Sequence, residues 1–447
     1  MPLFGLKDAT SGVFATYMAR FAGQDPRPAW LHELRQEAFA RFSELGFPHH
    51  KMEGWRQTNV APIAMSVFEA QPPLPPAQLV PRVRDLDLPG VDWSPDAPRL
   101  VFVNGAFAPG LSSTRLPQGC RMGSLGERFA SGEHGGEDLR PYFDFEDERK
   151  QAFVALNTSF LADGAWIEIA PRAVLDKPIS ILYVTTGSPE HRGVSHPRTL
   201  VLAGSECQCR IVETCAGFDG DVYLTNAVTA IEVAANAQVE YTRLEQESRS
   251  AFHVSKLRAR QGRDSRFTAH SIALGGSLVR NNVHSILDGE GSECLLNGLF
   301  ALDGAQHVDN STLLDHAKPL GTSREYYKGV LDDTSAGVFN GRIIVRQDAQ
   351  HTDAIQSSKN LLLSDSAATI NTQPELEIYA DDVRCTHGGT VGQLDTQALF
   401  YLRSRGLGEE ESRKLLIYAF AADVLSRIQV PQLRESLEAV LWRKWAQ

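Results

Sequence analysis

For roughly 300 residues, from about position 99 to 395, the chain carries short β-type runs and almost no helical periodicity. No other feature restricts its fold as much. The run 100–103, Leu-Val-Phe-Val, leads into Asn104-Gly105, a strong hairpin signal because both residues tolerate positive φ. Further strand-length runs follow at 179–184, 198–202, 222–224, 228–233, 239–244, 267–272 and 341–345, each closed by small or polar turn residues. So many strands with so few helices need a packing scheme that disposes of their edges, either a sandwich or a parallel β-helix in which each coil pairs with the next. A polar turn residue followed by a small one recurs at Asn236-Ala237, Asp264-Ser265, Gly291-Ser292, Gly304-Ala305, Asp348-Ala349 and Asp365-Ser366. The gaps are 28, 27, 13, 44 and 17 residues, too irregular for a strict hexapeptide solenoid. A β-helix fits better than a sandwich, but periodicity leaves both open.

The flanks read differently. Residues 1–98 are expected to be helical and then linker-like. Leu31, Leu34, Ala38, Phe42 and Leu45 recur at helical spacing, and Gly46 and Pro48 end the run. Five prolines between 71 and 81 predict a stiff extended connector with no helix. Residues 396–447 turn helical again, with Gly406 as a stop and Glu409, Glu410 and Glu411 opening the next helix at the positive end of its dipole. Leu416, Phe420, Val424 and Ile428 form an i, i+4 row, while Leu415, Ile417, Ala419 and Ala421 leave little polar face. Such a helix needs cover on more than one side, from the β-region or from a partner. Pro431 suits the first turn of a last helix.

Composition narrows the function. The chain is 42% hydrophobic and 22% charged, ordinary for a protein with a sizeable core, and its net charge of −11 disfavours nucleic acid as a partner. The apolar stretch 415–425 is too short for a membrane span and contains Asp423. The N-terminus lacks the pattern of a secretory signal, and six cysteines in 447 residues make no disulfide framework. The expectation is a reduced, cytoplasmic protein. No C-x-x-C, P-loop, H-E-x-x-H or G-x-S-x-G is present, which weighs against a lone hydrolase or NTPase.

Cys207 and Cys209 fall on one face of a strand and could bind a soft metal, but two small buried side chains explain them better; Cys120 and Cys215 read the same way. Cys385 and His387 form a second i, i+2 pair, a thiol and an imidazole of the kind that ligates iron, incomplete without further ligands. Asp332-Asp333 and Asp381-Asp382 could serve as acid–base pairs, as in an enzyme that cleaves polysaccharide on a β-helix. Adjacent acids at turns are more often solvated. His351 reads as structural.

The segment 327–406 resembles the SufB/SufD family of iron–sulfur cluster assembly scaffold proteins. The resemblance runs through Tyr326-Tyr327-Lys328-Gly329, Phe339-Asn340-Gly341-Arg342-Ile343, the segments 349–354, 359–364 and 368–378, then Cys385-Thr386-His387-Gly388 and 399–406. Glu53-Gly54-Trp55-Arg56-Gln57-Thr58 and 103–107 are similar to N-terminal segments of the family. His387-Gly388, in place of the His-Glu of the SufB branch, points to the SufD branch, although Gly389 departs from the alanine expected there. The resemblance implies a mainly β chain: a right-handed parallel β-helix core (99–395) between an N-terminal helical region (1–98) and a C-terminal helical domain (396–447). It implies a non-catalytic scaffold that pairs with SufB through the β-helix end and binds SufC, an ABC-type ATPase, through the apolar row Leu416, Phe420, Val424 and Ile428. His387, with Cys385 beside it, is the implied site for iron or a transient iron–sulfur cluster. Reduced flavin is a further implied ligand of the assembled complex, and in an isolated chain the β-helix end used for SufB could instead pair with a copy of itself.

Overall fold

A computed structural model describes residues 11–72, 76–113, 115–132, 134–143, 151–364 and 367–445. Two sheets of ten strands each face one another, and the chain alternates between them. The first sheet runs from the hairpin Arg99–Val103/Ala106–Phe107 through Ile179–Val184, Gln208–Ala216, Gln238–Gln246, Arg266–Ala273, Glu293–Leu302, Thr322–Leu331 and Asp353–Leu362 to Arg384–Gly392. The second runs from Cys120–Ser124 through Ala165–Ile169, Arg198–Ala203, Tyr223–Val233, Phe252–Gln261, Leu278–Leu287, His307–His316 and Ala336–Val345 to Thr369–Ile378, with the short strand Gly193–Ser195 paired to Tyr223–Val233 beside this path. Beyond the antiparallel pairings at the start, neighbouring strands are parallel. The architecture is a parallel β-solenoid of about 7 turns with helices at both termini. Each coil buries its edge against the next, which settles the choice between solenoid and sandwich.

One turn per coil is held by backbone geometry that residue type conceals. Glu206, Asn236, Asp264, Gly291, Leu320 and His351 all have positive φ, at gaps of 30, 28, 27, 29 and 31 residues. Each donates its backbone N–H to a carbonyl in the turn one coil further on, as in Asn236 to Arg263, Leu320 to Gln350 and His351 to Asp382. The register is therefore regular. The recurrence read from sequence missed Glu206, Leu320 and His351 and mixed in Gly304, which belongs to another turn; Asp365-Ser366 lies outside the described residues. Asn104 and Gly105 do form the hairpin, both with positive φ. Two expected strands, 222–224 and 228–233, are one strand, Tyr223–Val233. The polar Thr225-Asn226 between them stays extended because Asn226 donates to the Phe153 carbonyl (2.9 Å) and Thr225 to Glu247 (2.6 Å).

At the N-terminus, α1 (Ser11–Ala22) and α2 (Ala29–Leu45) pack with α4 (Ala152–Ser159) against the second sheet, through Tyr17, Phe42, Phe153 and Leu156. The expected extended connector is overturned in part: Pro76–Arg84 is a helix, α3, with Pro81 inside it. Pro76 sits in the first turn, where a missing N–H costs nothing. Val83, fully buried against Val101, Val103 and Leu182, supplies the packing that propensity lacks. At the C-terminus, α5 (Thr396–Ser404), α6 (Glu409–Leu425) and α7 (Pro431–Lys444) follow the last coil. Among the described residues no helix is long and apolar enough to cross a membrane.

Candidate functional site

At the C-terminal end of the solenoid the last coil leaves its strands without a further coil to cover them. Among the described residues Arg384–Gly392 pairs only with Asp353–Leu362, and Thr369–Ile378 only with Ala336–Val345, so one edge of each remains free. Cys385 and His387 lie on that outermost strand, opposite Ala354 and Gln356. Parity places both in the interior-facing set of the coil. Cys385 is half-buried against the core, and His387 is exposed because no further coil covers it. Burial pushes the Cys385 thiol up, so ligation there must first remove its proton. Ile378, Tyr379 and Val391, 42%, 61% and 47% exposed, add apolar surface around the same end.

Beneath His387 the interior column becomes polar. Gln356 donates to Glu325 at 2.6 Å, and both are almost fully buried. Burial raises the Glu325 carboxyl to about 7, against the hydrogen bonds from Thr312 and Gln356. The motif residues around them have distinct tasks. Tyr327 faces inward and packs on Phe339 at 4.9 Å. Gly329 leaves room for the Phe300 ring, which a Cβ would meet at 2.3 Å, and Gly341 leaves room for Gln356 Nε2 at 2.2 Å. Tyr326 and Lys328 face outward and grip α6. Tyr326 donates to Asp423 at 2.6 Å, and Lys328 pairs with Asp423 at 2.8 Å and donates to the Phe420 carbonyl at 2.8 Å.

This grip bears on the apolar row of α6. Val424 and Ile428 are buried against Leu244, Ile272 and Leu299 of the chain's own first sheet, and Leu416 and Phe420 are half-buried. The row is thus covered largely from within, which answers which cover it needed. The exposed aromatic surface of the C-terminal region lies instead at Phe400 (74%), Tyr401 and Trp442. Glu53-Gly54-Trp55-Arg56-Gln57-Thr58 also acquires a physical reading. Trp55 lies under the Arg280 guanidinium at 4.5 Å, and Thr58 donates to Asp309, itself paired with Arg280, so the segment is fastened to the outside of the second sheet.

The other candidates are placed as follows. Cys207 and Cys209 lie together in the solenoid core, with Cys120 and Cys215 in the same cluster. The hydrogen bond that Cys209 donates to Cys207, together with burial, pushes the Cys209 thiol far above its usual range. Asp333, with positive φ, accepts from the Gly304 N–H (2.9 Å), and Asp332 accepts from the Asp333 N–H, so that pair holds a turn. Asp382 pairs with His351 at 3.0 Å on the surface. Among the described residues no group of three or more His, Cys, Asp and Glu side chains is placed to hold a metal ion.

Sequence reading missed a buried ionic network. Glu213, Arg243, Glu245, Glu247 and His253 are all at most 6% exposed. Arg243 donates to Glu213 at 3.0 Å, Thr199 donates to Glu213 at 2.7 Å, and the His253 ring nitrogens lie 3.6 and 3.0 Å from Glu245 and Glu247. Burial opposes charging of His253, but Glu247 and Glu245 outweigh it and hold its pKa above the ordinary value. The available signal was strand parity: Glu213 shares the inward set with Cys209, Ile211 and Cys215.

The fold and the placement of these segments define a β-solenoid protein with helical regions at both ends and ligand-type side chains on its open coil. Comparison with known proteins gives that class a family. The family model described as SUF system FeS cluster assembly, SufBD core domain matches residues 184–420, and that of the SufBD protein N-terminal region matches 18–181. The chain is 33% identical over 416 residues to an iron–sulfur cluster assembly SufBD family protein of Synechocystis sp., covering 91% of this chain and 89% of the relative. It is 29% identical over 405 residues to the iron–sulfur cluster assembly protein SufD of Escherichia coli, covering 90% of each. With SufD of Bacillus subtilis it shares 26% identity over 445 residues, 96% and 97% of the two chains. The chain belongs to the SufBD family of iron–sulfur cluster assembly proteins.

Proposed function

We propose that this protein is the SufD-type scaffold of a SUF assembly complex, acting without catalysis of its own in the cytoplasm. The open coil docks a SufB-type chain, and His387 with Cys385 contributes ligands to iron or to a nascent cluster that the partner's ligands complete. The observation that carries this reading is the coincidence of an unpaired sheet edge, a rim of exposed apolar side chains and a Cys–His pair on one strand. A pair of ligands on one exposed edge is too few to hold a cluster and is well placed to share one. The C-terminal helices dock a SufC-type ATPase through the exposed surface around Phe400 and Tyr401, since Val424 and Ile428 are engaged within the chain. Nucleotide-driven movement of that ATPase would then act on the open coil through α6 and its grip on Tyr326 and Lys328. Reduced flavin belongs, on this reading, to the assembled complex, and the isolated chain pairs with itself through the same edge.

The test is co-expression of the tagged chain with SufB- and SufC-type proteins of its host, followed by affinity purification and cluster quantification. The reading expects both partners to be retained and His387→Ala to lower cluster content without loss of the complex. Retention of neither partner would sink the scaffold assignment. An unchanged cluster content in His387→Ala would leave a scaffold in which the histidine has no ligand role.

A further inference from the structure

Away from the open coil, at the N-terminal end of the solenoid, a cavity of about 1150 Å³ lies between the α1–α2 corner and the second sheet. Its walls combine three features that internal packing leaves unspent. Arg35, only 6% exposed, donates solely to carbonyls, those of Leu161 (2.8 Å) and Asp25 (3.1 Å). Arg20 donates to the Phe68 carbonyl at 3.3 Å and lies 4.8 Å over the Phe160 ring. Among the described residues neither guanidinium has a carboxylate within ion-pair distance. The two acids of the cavity are already engaged. Asp25 is held by Arg27 through two contacts at 3.2 Å, and Asp163 accepts from Ser124 Oγ and from the backbone N–H groups of Phe107, Gly126 and Gly164 at 2.6–2.9 Å.

The third feature is His196, 8% exposed and stacked on Phe160 at 5.2 Å with an interplanar angle of 16°. Its Nδ1 faces the Asn226 side-chain amide at 3.4 Å and, since that amide nitrogen can only donate, accepts. The ring proton is then on Nε2, which is buried and has no partner. Burial, helped by the nearby Arg20 charge, keeps this imidazole neutral. A buried donor without an acceptor costs stability unless something fills the place. Beside it stand the Phe160 ring and two guanidinium groups on which carboxylates, Glu69 for Arg20 and Asp25 for Arg35, act only from beyond ion-pair distance.

We infer that this cavity is a binding site for a small organic anion with a flat ring: the ring lies along Phe160 and His196, and the anionic group meets Arg20 and Arg35 and accepts from His196 Nε2. The inference rests on residues remote from Cys385 and His387 and stands independently of the scaffold reading.

Two dyes that differ only in charge test it on the full chain. Anilinonaphthalene sulfonate carries the ring system and an anion, and phenylnaphthylamine carries the ring system alone. Fluorescence titration should show one site per chain for the sulfonate, about tenfold tighter than for the neutral dye, as expected for charge-assisted hydrogen bonds in a partly desolvated site. Arg20→Met keeps the apolar stem over Phe160 and should weaken the sulfonate severalfold while leaving the neutral dye unchanged. His196→Phe keeps the stack and should weaken the sulfonate severalfold while leaving the neutral dye unchanged. Unaltered circular dichroism checks that each variant is folded, and the second variant serves if the first is not. Equal affinity for the two dyes, no saturable binding, or a sulfonate affinity indifferent to both substitutions overturns the proposal; the last result would place the dye on exposed apolar surface such as that around Phe400.

Discussion

Glu325 shows how much one interior side chain can be altered by its coil. Among the described residues it has no cation beside it, only Gln356 and Thr312, and burial lifts its carboxyl from the ordinary 4.5 to about 7. The folded state therefore binds a proton more tightly than the unfolded chain does, and its contribution to stability is fully present below about pH 4.5 and is lost as pH rises through 7. Glu325→Gln, which keeps an acceptor for Gln356, should raise stability at pH 8 by about 1–3 kcal/mol and change it little at pH 5, as read by urea unfolding at the two pH values. Arg243 illustrates the opposite case. Its partner Glu213 is fully buried, so Arg243→Met leaves an uncompensated charge and should destabilise by about 3–5 kcal/mol. Arg243→Met combined with Glu213→Gln should recover much of that loss. A cost as large in the double variant would show that the charge pair is not the cause.

Between elements, the grip of the solenoid on α6 rests on a small polar set around Asp423. The acid is half exposed, so its ion pair is screened and Asp423→Ala should cost only about 1 kcal/mol of overall stability. Locally the effect should be larger. Amide hydrogen exchange across 409–425 should quicken in this variant while the coils keep their protection. Uniform exchange in all regions would mean that the helix does not open separately. Legibility at this scale was uneven. Helix α2, the hairpin turn and the C-terminal stops were readable because capping and turn residues act locally. Helix α3 was not: its prolines argue against helix, and only the contact of Val83 with the strands beneath it decides otherwise. The row Leu416–Ile428 was legible as apolar, but its cover was not, since Leu244, Ile272 and Leu299 lie more than a hundred residues away.

For the molecule as a whole, the open coil leaves two adjoining strands with a free edge at the C-terminal end of the solenoid. Edge strands that stay unpaired and partly apolar invite pairing with another chain. Charging that edge with Thr386→Lys and Val391→Lys, both at exposed positions, should change stability by no more than about 0.5 kcal/mol. It should also abolish any self-association of the isolated chain and its retention of a SufB-type partner. Light scattering after size exclusion reads the first, and co-purification the second. A dimer that survives both charges would assign self-association to another surface.

The amino-acid sequence by itself determined the division into helical flanks and a β-rich centre, the hairpin at Asn104-Gly105, and the family, because these depend on local pattern and on long contiguous motifs. It also placed Cys385 and His387 on one strand face. Only the tertiary structure decided the rest. The coil repeat rests on backbone φ at residues as unlike as Asn236, Leu320 and His351, and no residue type marks it. The exposure of His387 follows from its strand being the last to stack, and the partnerless Nε2 of His196 from the meeting of helices and sheet far apart in sequence. Pairing between coils some 30 residues apart sets each of these, and that is a property of the stack as a whole.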